Sequence, residues 1–88
     1  MRTLIAAQTA AAIQDINIAS DEYVSLAQSG LVGIEVVKLQ VDLDGTWTDI
    51  LPAIELSATG NYIQVAGPGS YRIVKPVTAG AAAVFINE

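Results

Sequence analysis

The sequence predicts an all-β fold: a small antiparallel β-sandwich or partly open barrel of roughly seven to eight short strands, with an extended N-terminal arm. Three observations point there. Apolar and polar residues alternate in short runs such as Ile16-Asn17-Ile18 and Ile63-Gln64-Val65, which is the period of a half-buried strand. Turn-forming clusters punctuate these runs about every 8 to 12 residues. No segment holds apolar residues at helical spacing over the length an amphipathic helix needs.

The elements follow in order. Residues 1–12 hold five alanines. Alanine favours helix, but isolated helices of about 12 residues are marginal in water. The segment therefore reads as an extended arm that becomes ordered against a neighbour or against the domain's own edge, with a frayed terminus as the alternative. Arg2, Leu4 and Ile5 are its candidates for contact with a neighbouring subunit. Residues 13–88 then form a single β-domain. Ile16 and Ile18 share one face, and Ser20-Asp21-Glu22 breaks the run. Val24 and Leu26 alternate with Tyr23, Ser25 and Ala27 before a turn at Gln28-Ser29-Gly30. The run from Leu31 to Leu43 changes parity at Val36-Val37, which predicts a β-bulge or a two-sided central strand.

Asp44-Gly45 is a strong hairpin signal, joining Lys38–Leu43 to Thr46–Ile50, with Trp47 on the returning strand. Pro52 ends that strand or marks an edge. Ile54 and Leu56, then Ile63 and Val65, continue the alternation on either side of Thr59-Gly60-Asn61. Gly67-Pro68-Gly69 turns into Tyr71-Arg72-Ile73-Val74-Lys75, and Thr78-Ala79-Gly80 turns into a last strand of small residues and Phe85. Pro52, Lys75 and Pro76 read as devices that protect sheet edges.

Composition narrows the function. A chain of 88 residues is one domain and buries only about 60 to 65% of the surface that its unfolded form exposes. Small domains commonly gain stability from disulfides, metals or association. There is no Cys and no His, so disulfides are closed and the common zinc sets are missing. Association is the route left. Only 15% of residues are charged while 52% are hydrophobic, against about 25% charged in an ordinary soluble domain. That balance predicts an outer face covered by another chain. A surface of Ser, Thr, Gln and Asn on a monomer is the plainer alternative.

The net charge of −5 and the absence of a basic cluster exclude nucleic acid as the expected partner. No stretch approaches the ~20 apolar residues of a membrane span. The first seven residues begin like a short signal peptide, but Gln8 and Thr9 interrupt the apolar run, so the expectation is an unprocessed protein made in the cytoplasm.

No catalytic constellation is evident. Without His or Cys, only Ser–Lys or Ser–carboxylate pairs remain for nucleophilic chemistry, and no nucleophile elbow surrounds a serine. The chain is expected not to be an enzyme and to carry no cofactor. Asp42-Leu43-Asp44-Gly45-Thr46 resembles the start of a calcium loop, but the twelfth position counted from Asp42 is Ala53 rather than Glu; a hairpin turn is favoured. No metal site is expected. Trp47, Tyr62 and Tyr71 are candidates for an aromatic platform that binds sugars, against the plainer reading that Trp47 caps the core and the tyrosines anchor strand ends.

Leu39-Gln40-Val41, then Asp44-Gly45-Thr46-Trp47, then Gly67-Pro68-Gly69-Ser70-Tyr71-Arg72-Ile73-Val74 and a closing strand of small residues together resemble the small β-sandwich proteins of tailed bacteriophage particles, with capsid decoration (cement) proteins as the nearest type. The resemblance covers roughly residues 31–86. It implies a virion protein without chemistry, made in the host cytoplasm, that binds the major capsid protein or another virion protein as a homo-oligomer, a trimer being favoured. A carbohydrate-binding or adhesion module, and a phage tail or neck component, are the competing expectations.

Overall fold

The computed structural model describes residues 1–50 and 55–87, so the expectations attached to Pro52 and Ile54 lie outside the described residues. Nine strands are present among them: β1 (Arg2–Gln8), β2 (Ala12–Ile18), β3 (Tyr23–Ser29), β4 (Val36–Leu43), β5 (Thr46–Asp49), β6 (Glu55–Ser57), β7 (Tyr62–Ala66), β8 (Gly69–Lys75) and β9 (Ala82–Asn87). They form two antiparallel sheets. The first runs β1-β9-β3-β7; the second runs β2-β8-β4-β5, with β6 also paired to β4. The predicted all-β sandwich is the fold observed, without a helix among the described residues.

Alternation decides which side chains face inward. In the first sheet Leu26 lies opposite Ile63 on one side and Ile86 on the other, and Val24 lies opposite Val65. In the second, Leu39 lies opposite Ile73 and Val37 opposite Leu56. These residues meet in one apolar cluster together with Ile5, Ile16 and Ile18. Each fully buried aliphatic side chain contributes on the order of 1.5–3 kcal/mol, so this layer between the sheets is the main source of stability. Gln28, buried on the same side, bridges the layers: its Nε2 donates to the Ser57 carbonyl at 2.8 Å and its Oε1 accepts from Leu31 N at 3.2 Å.

The N-terminal segment is extended, as expected, and of the two expected supports it takes the domain's own edge. β1 pairs with β9, and the register shifts between Thr3 and Ile5 and again between Ile5 and Gln8. Those shifts let adjacent residues Leu4 and Ile5 both reach the core, which a regular strand forbids because its side chains alternate. Ile5 is therefore spent on this chain's own core rather than held out to a neighbour. The boundary after residue 12 also moves, because Ala12 already begins β2.

Of the two readings of the parity change at Val36-Val37, the bulge is absent and β4 is a central strand, between β8 on one side and β5 and β6 on the other. β4 pairs in unbroken register with β6 over Val36–Lys38, with β8 over Lys38–Val41 and with β5 over Gln40–Leu43. The parity change arises because the strand begins at Val36; residues 31–35 form a turn outside the ladder, closed by Glu35 N donating to the Val32 carbonyl at 3.2 Å. The bulges lie in β1 instead.

Asp44-Gly45 does form the hairpin turn. Leu43 pairs with Thr46, and Asp44 and Gly45 have φ of 55° and 91°, the left-handed pair that matches strand twist in a two-residue loop. Asp42 Oδ1 accepts from Gly45 N at 2.8 Å, so the aspartate that opens the calcium-like motif holds the turn. Gly30 is a second required glycine: its φ is 98°, and a Cβ there would collide with the Ala81 carbonyl oxygen.

Lys75 departs from its expected role at an edge. β8 lies between β2 and β4, and Lys75 is 1% exposed. Its Nζ donates to the Ala10 carbonyl at 2.6 Å, the Pro76 carbonyl at 3.1 Å and Thr78 Oγ1 at 3.3 Å. An ammonium has three protons to place, and here each has an acceptor.

Glu35 clips the same end of the molecule. Its Oε1 accepts from Val32 N at 3.0 Å and its Oε2 from Ala79 N at 2.7 Å. These backbone bonds hold its pKa below the ordinary 4.5, because they favour the charged carboxylate. A carboxyl with a folded pKa below its unfolded one contributes stability above the unfolded value and loses it as pH falls through the folded value. Between pH 6 and roughly pH 3, wild-type protein should therefore lose more urea stability than Glu35→Gln. Parallel pH profiles for the two proteins would remove Glu35 as the cause.

Candidate functional site

The two outer faces of the sandwich differ in chemistry, and this is the most distinctive feature of the surface. On the first sheet the residues that alternate with the core face outward: Tyr23, Ser25, Ala27 and Ser29 on β3; Tyr62, Gln64 and Ala66 on β7; Ala83, Phe85 and Asn87 on β9; and Thr3 opposite Phe85 on β1. None is charged. On the second sheet the corresponding positions include Asp15, Lys38, Asp42, Asp49, Glu55 and Arg72. Of the eight charged residues in the described strands six lie on this one face; Arg2 is on β1 and Lys75 is buried.

Tyr62 defines the uncharged face. Its hydroxyl donates to Ser25 Oγ at 2.8 Å. Ser25 pairs with Gln64 and Tyr62 with Ala27, so the bond runs diagonally and lays the phenol along the sheet. Gln64 Nε2 adds a longer bond to the same oxygen, 3.4 Å. Ser25 is consequently buried although it points outward, while Tyr62 and Tyr23 remain 53% and 65% exposed. A ring fixed in this way meets a partner with little rotamer entropy left to lose.

The charged face is internally paired. Arg72 lies over the Trp47 ring, 4.1 Å from its centroid, and its Nε donates to Asp15 Oδ1 at 3.1 Å. Gln40 Nε2 donates to Asp49 Oδ1 at 2.9 Å, and Lys38 Nζ is 3.8 Å from Asp49 Oδ2. These contacts are exposed, so each is worth well under 1 kcal/mol. Their effect is to give that face a hydrated, self-satisfied surface.

The three residues expected as an aromatic platform are not brought together. Trp47 is on the outer face of the second sheet beneath Arg72, and Tyr62 is on the outer face of the first. Tyr71 lies opposite Val41 and Ile16, on the inward side, packed against the core, with its hydroxyl donating to the Ala66 carbonyl at 3.0 Å. The aromatic residues that share one outer face are Tyr23, Tyr62 and Phe85. Parity alone marks these three as outward, since each stands beside a core aliphatic residue; which strands are neighbours is not written in the pattern.

Of the residues expected at an interface, Leu4 and Ile5 are committed to the core. Arg2 is exposed and lines a cleft of about 360 Å³ where β1 and β2 diverge, with Gln14, Asp15 and Asn17, above the buried Val24 and Ile86. Among the described residues no group of three or more acidic side chains gathers as a metal site requires, and no helix is long and apolar enough to cross a membrane.

Comparisons with protein-family models, with curated proteins and with solved structures return no match for this chain.

Proposed function

We propose that the protein is a non-enzymatic structural module that binds a larger protein lattice through the outer face of its first sheet, in the manner of a capsid decoration protein on a bacteriophage particle. The observation that carries this reading is the division of charge between the two faces. A face that stays in water needs charge for solubility; a face that is covered by protein is better without it, because desolvating unpaired charges is costly. The β3–β9 face carries Tyr and Phe and no charge, two of the features that distinguish the core of a protein interface. The second sheet's face has the composition of a wetted one. Repetition over a lattice makes a modest contact firm, since many copies engage at once. Placement on a head, tail or neck uses the same surface chemistry, and the resemblance favours the head.

The experiment is cosedimentation with particles purified from the source that encodes the chain. Ala27→Glu, at the centre of the uncharged face, is expected to abolish cosedimentation while leaving the unfolding free energy within about 0.5 kcal/mol of wild type. Full retention of binding by the folded variant would overturn the use of this face.

A second reading draws on the pinned Tyr62 ring. Flat exposed aromatics flanked by amides and hydroxyls stack on sugar rings and hydrogen-bond their hydroxyls, and Tyr23, Phe85, Gln64 and Asn87 supply such surroundings. Binding to a neutral glycan array that is lost in Tyr62→Ala, with particles ignored, would favour this carbohydrate-binding reading over the lattice.

A further inference from the structure

We infer that the protein forms a two-fold dimer by pairing β2 of one copy, antiparallel, with β2 of a second, so that Asp15 of each faces Asn17 of the other. The inference concerns an edge of the second sheet and is independent of the uncharged face of the first. A strand at the end of a sheet leaves a row of N–H and C=O groups without ladder partners, and the structure that such a row accepts is another extended strand. Among the described residues β2 pairs only with β8, so its far side is such a row.

Sheet edges are commonly protected by shortness, bulges, proline or lysine. The other edges here follow that rule. β1 is interrupted by two register shifts, β5 and β6 have four and three residues, and β7 has five. β2 has none of these devices. Its seven residues lie in unbroken register with β8 and include neither proline nor lysine. Ile13, Gln14, Asp15 and Asn17 along it are exposed.

The side chains of this edge select a second copy as the occupant. Asp15 Oδ1 accepts from Arg72 Nε at 3.1 Å, and Asn17 Oδ1 accepts from Ser70 Oγ at 2.7 Å. Both bonds run toward β8. They leave Asp15 Oδ2 and Asn17 Nδ2 without a hydrogen bond among the described residues, one an acceptor and the other a donor. Antiparallel pairing centred on Ile16 sets the residue before it opposite the residue after it. Asp15 then faces the second copy's Asn17, Asn17 faces its Asp15, and the open acceptor meets the open donor twice. Residues directly opposite have Cβ atoms about 4.5–5.5 Å apart, within reach of a carboxylate–amide bond.

The same register sets Ile16 against Ile16 and Gln14 against Ile18 on the inner side. Both edges are satisfied by one isologous contact, which closes at two copies, and β5-β4-β8-β2 continues into its own symmetry mate. Two chains of net charge −5 repel, but Asp15 is the one charged residue of β2. The two Asp15 carboxylates lie on a diagonal rather than face to face, and each has its own Arg72 beside it. Five residues a side is fewer than the roughly 20–30 of a standard interface, so association should depend on concentration.

Light scattering over a concentration series tests this, with circular dichroism to establish that each variant is folded. Wild-type protein should rise from the mass of one chain to the mass of two and stop there. Asn17→Asp sets carboxylate against carboxylate at both junctions and should weaken the dimer by about tenfold or more. Adding Asp15→Asn to Asn17→Asp restores one carboxylate and one amide at each junction, in exchanged positions, and should recover most of the affinity. A purely local role for either residue predicts no such recovery. Wild-type protein that stays monomeric at millimolar concentration would overturn the inference, as would a closed trimer. So would a dimer indifferent to Asn17→Asp, or a double variant as weak as Asn17→Asp alone. Amides of β2 that gain hydrogen-exchange protection only on particles, and not with rising protein concentration, would give the edge to another protein's strand and overturn it equally.

Discussion

Lys75→Met should lower stability by about 2–3 kcal/mol, read as a fall of roughly 10–20 °C in the thermal midpoint for a domain of this size. Two effects oppose each other at this position. Burying an ammonium is costly, and removing a buried charge often stabilises a protein when a hydrophobic residue of similar shape replaces it. Against that, hydrogen bonds to a charged donor contribute about 1.5–3 kcal/mol each, and Lys75 makes three. Its acceptors come from the β1–β2 turn and from the β8–β9 connection, so the ammonium ties together two segments that the Thr78 amide also links. Ala10 and Pro76 are exposed residues, and water can replace part of what their carbonyls lose, which keeps the expected cost below the sum of three full bonds. Thr78 keeps its bond to the Gly80 carbonyl. The balance falls on the side of loss. Hydrogen exchange gives the local reading: the Thr78 amide, which donates to the Thr9 carbonyl at 2.9 Å, should exchange faster in Lys75→Met. A neutral or raised midpoint would mean that desolvation outweighs the three bonds.

Lys75 also shows where reading the sequence fails. A lysine at the end of a strand, followed by proline, has the pattern of a protected edge. Its acceptors are two backbone carbonyls and a threonine, and carbonyls are present at every residue, so nothing in the sequence marks them as partners. The elements that were legible are those whose side chains speak for themselves. Ile16 with Ile18, Val24 with Leu26, and Ile63 with Val65 alternate cleanly and lie in strands as expected. Asp44-Gly45 needs two left-handed residues and has the pair that accepts that geometry. At the N-terminus the signal weakens: alanine marks neither face, and the shifts in β1 turn Leu4 and Ile5 inward together, so the period of two disappears. Between Leu31 and Val36 the apolar residues continue around Gly33 and Glu35, and the strand reads as starting too early; Gly33 and Glu35 inside that run are the available warning. The separation of Trp47, Tyr62 and Tyr71 follows from strand order, which depends on contacts between distant segments and leaves no local trace. The division of charge between faces, by contrast, was present in the parity of each strand and needed only the assignment of strands to sheets.

Leu26→Ala should cost about 3–4 kcal/mol, within the range measured for truncating a buried leucine, and Ala27→Ser on the same strand should cost less than about 0.5 kcal/mol. The contrast between neighbours is the point of the pair. Leu26 is wholly buried, set between Ile63 and Ile86 on an inner strand and facing the second sheet. Removing its branched end leaves a void that rigid neighbouring strands cannot close, so the loss of burial is joined by a cavity cost. A domain of this length has a total stability of roughly 4–13 kcal/mol, and Leu26→Ala takes a large share of it. Ala27 points the other way, onto the uncharged face between Tyr62 and Phe85. Urea unfolding of both variants measures the difference. Equal losses would mean that the outer face is packed as tightly as the core, and that its lack of charge serves the fold. A large loss at Leu26 with none at Ala27 would mean that the fold makes no demand on that face. Its tyrosines, amides and small residues would then answer to something outside the chain, which is the premise on which the lattice-binding proposal rests.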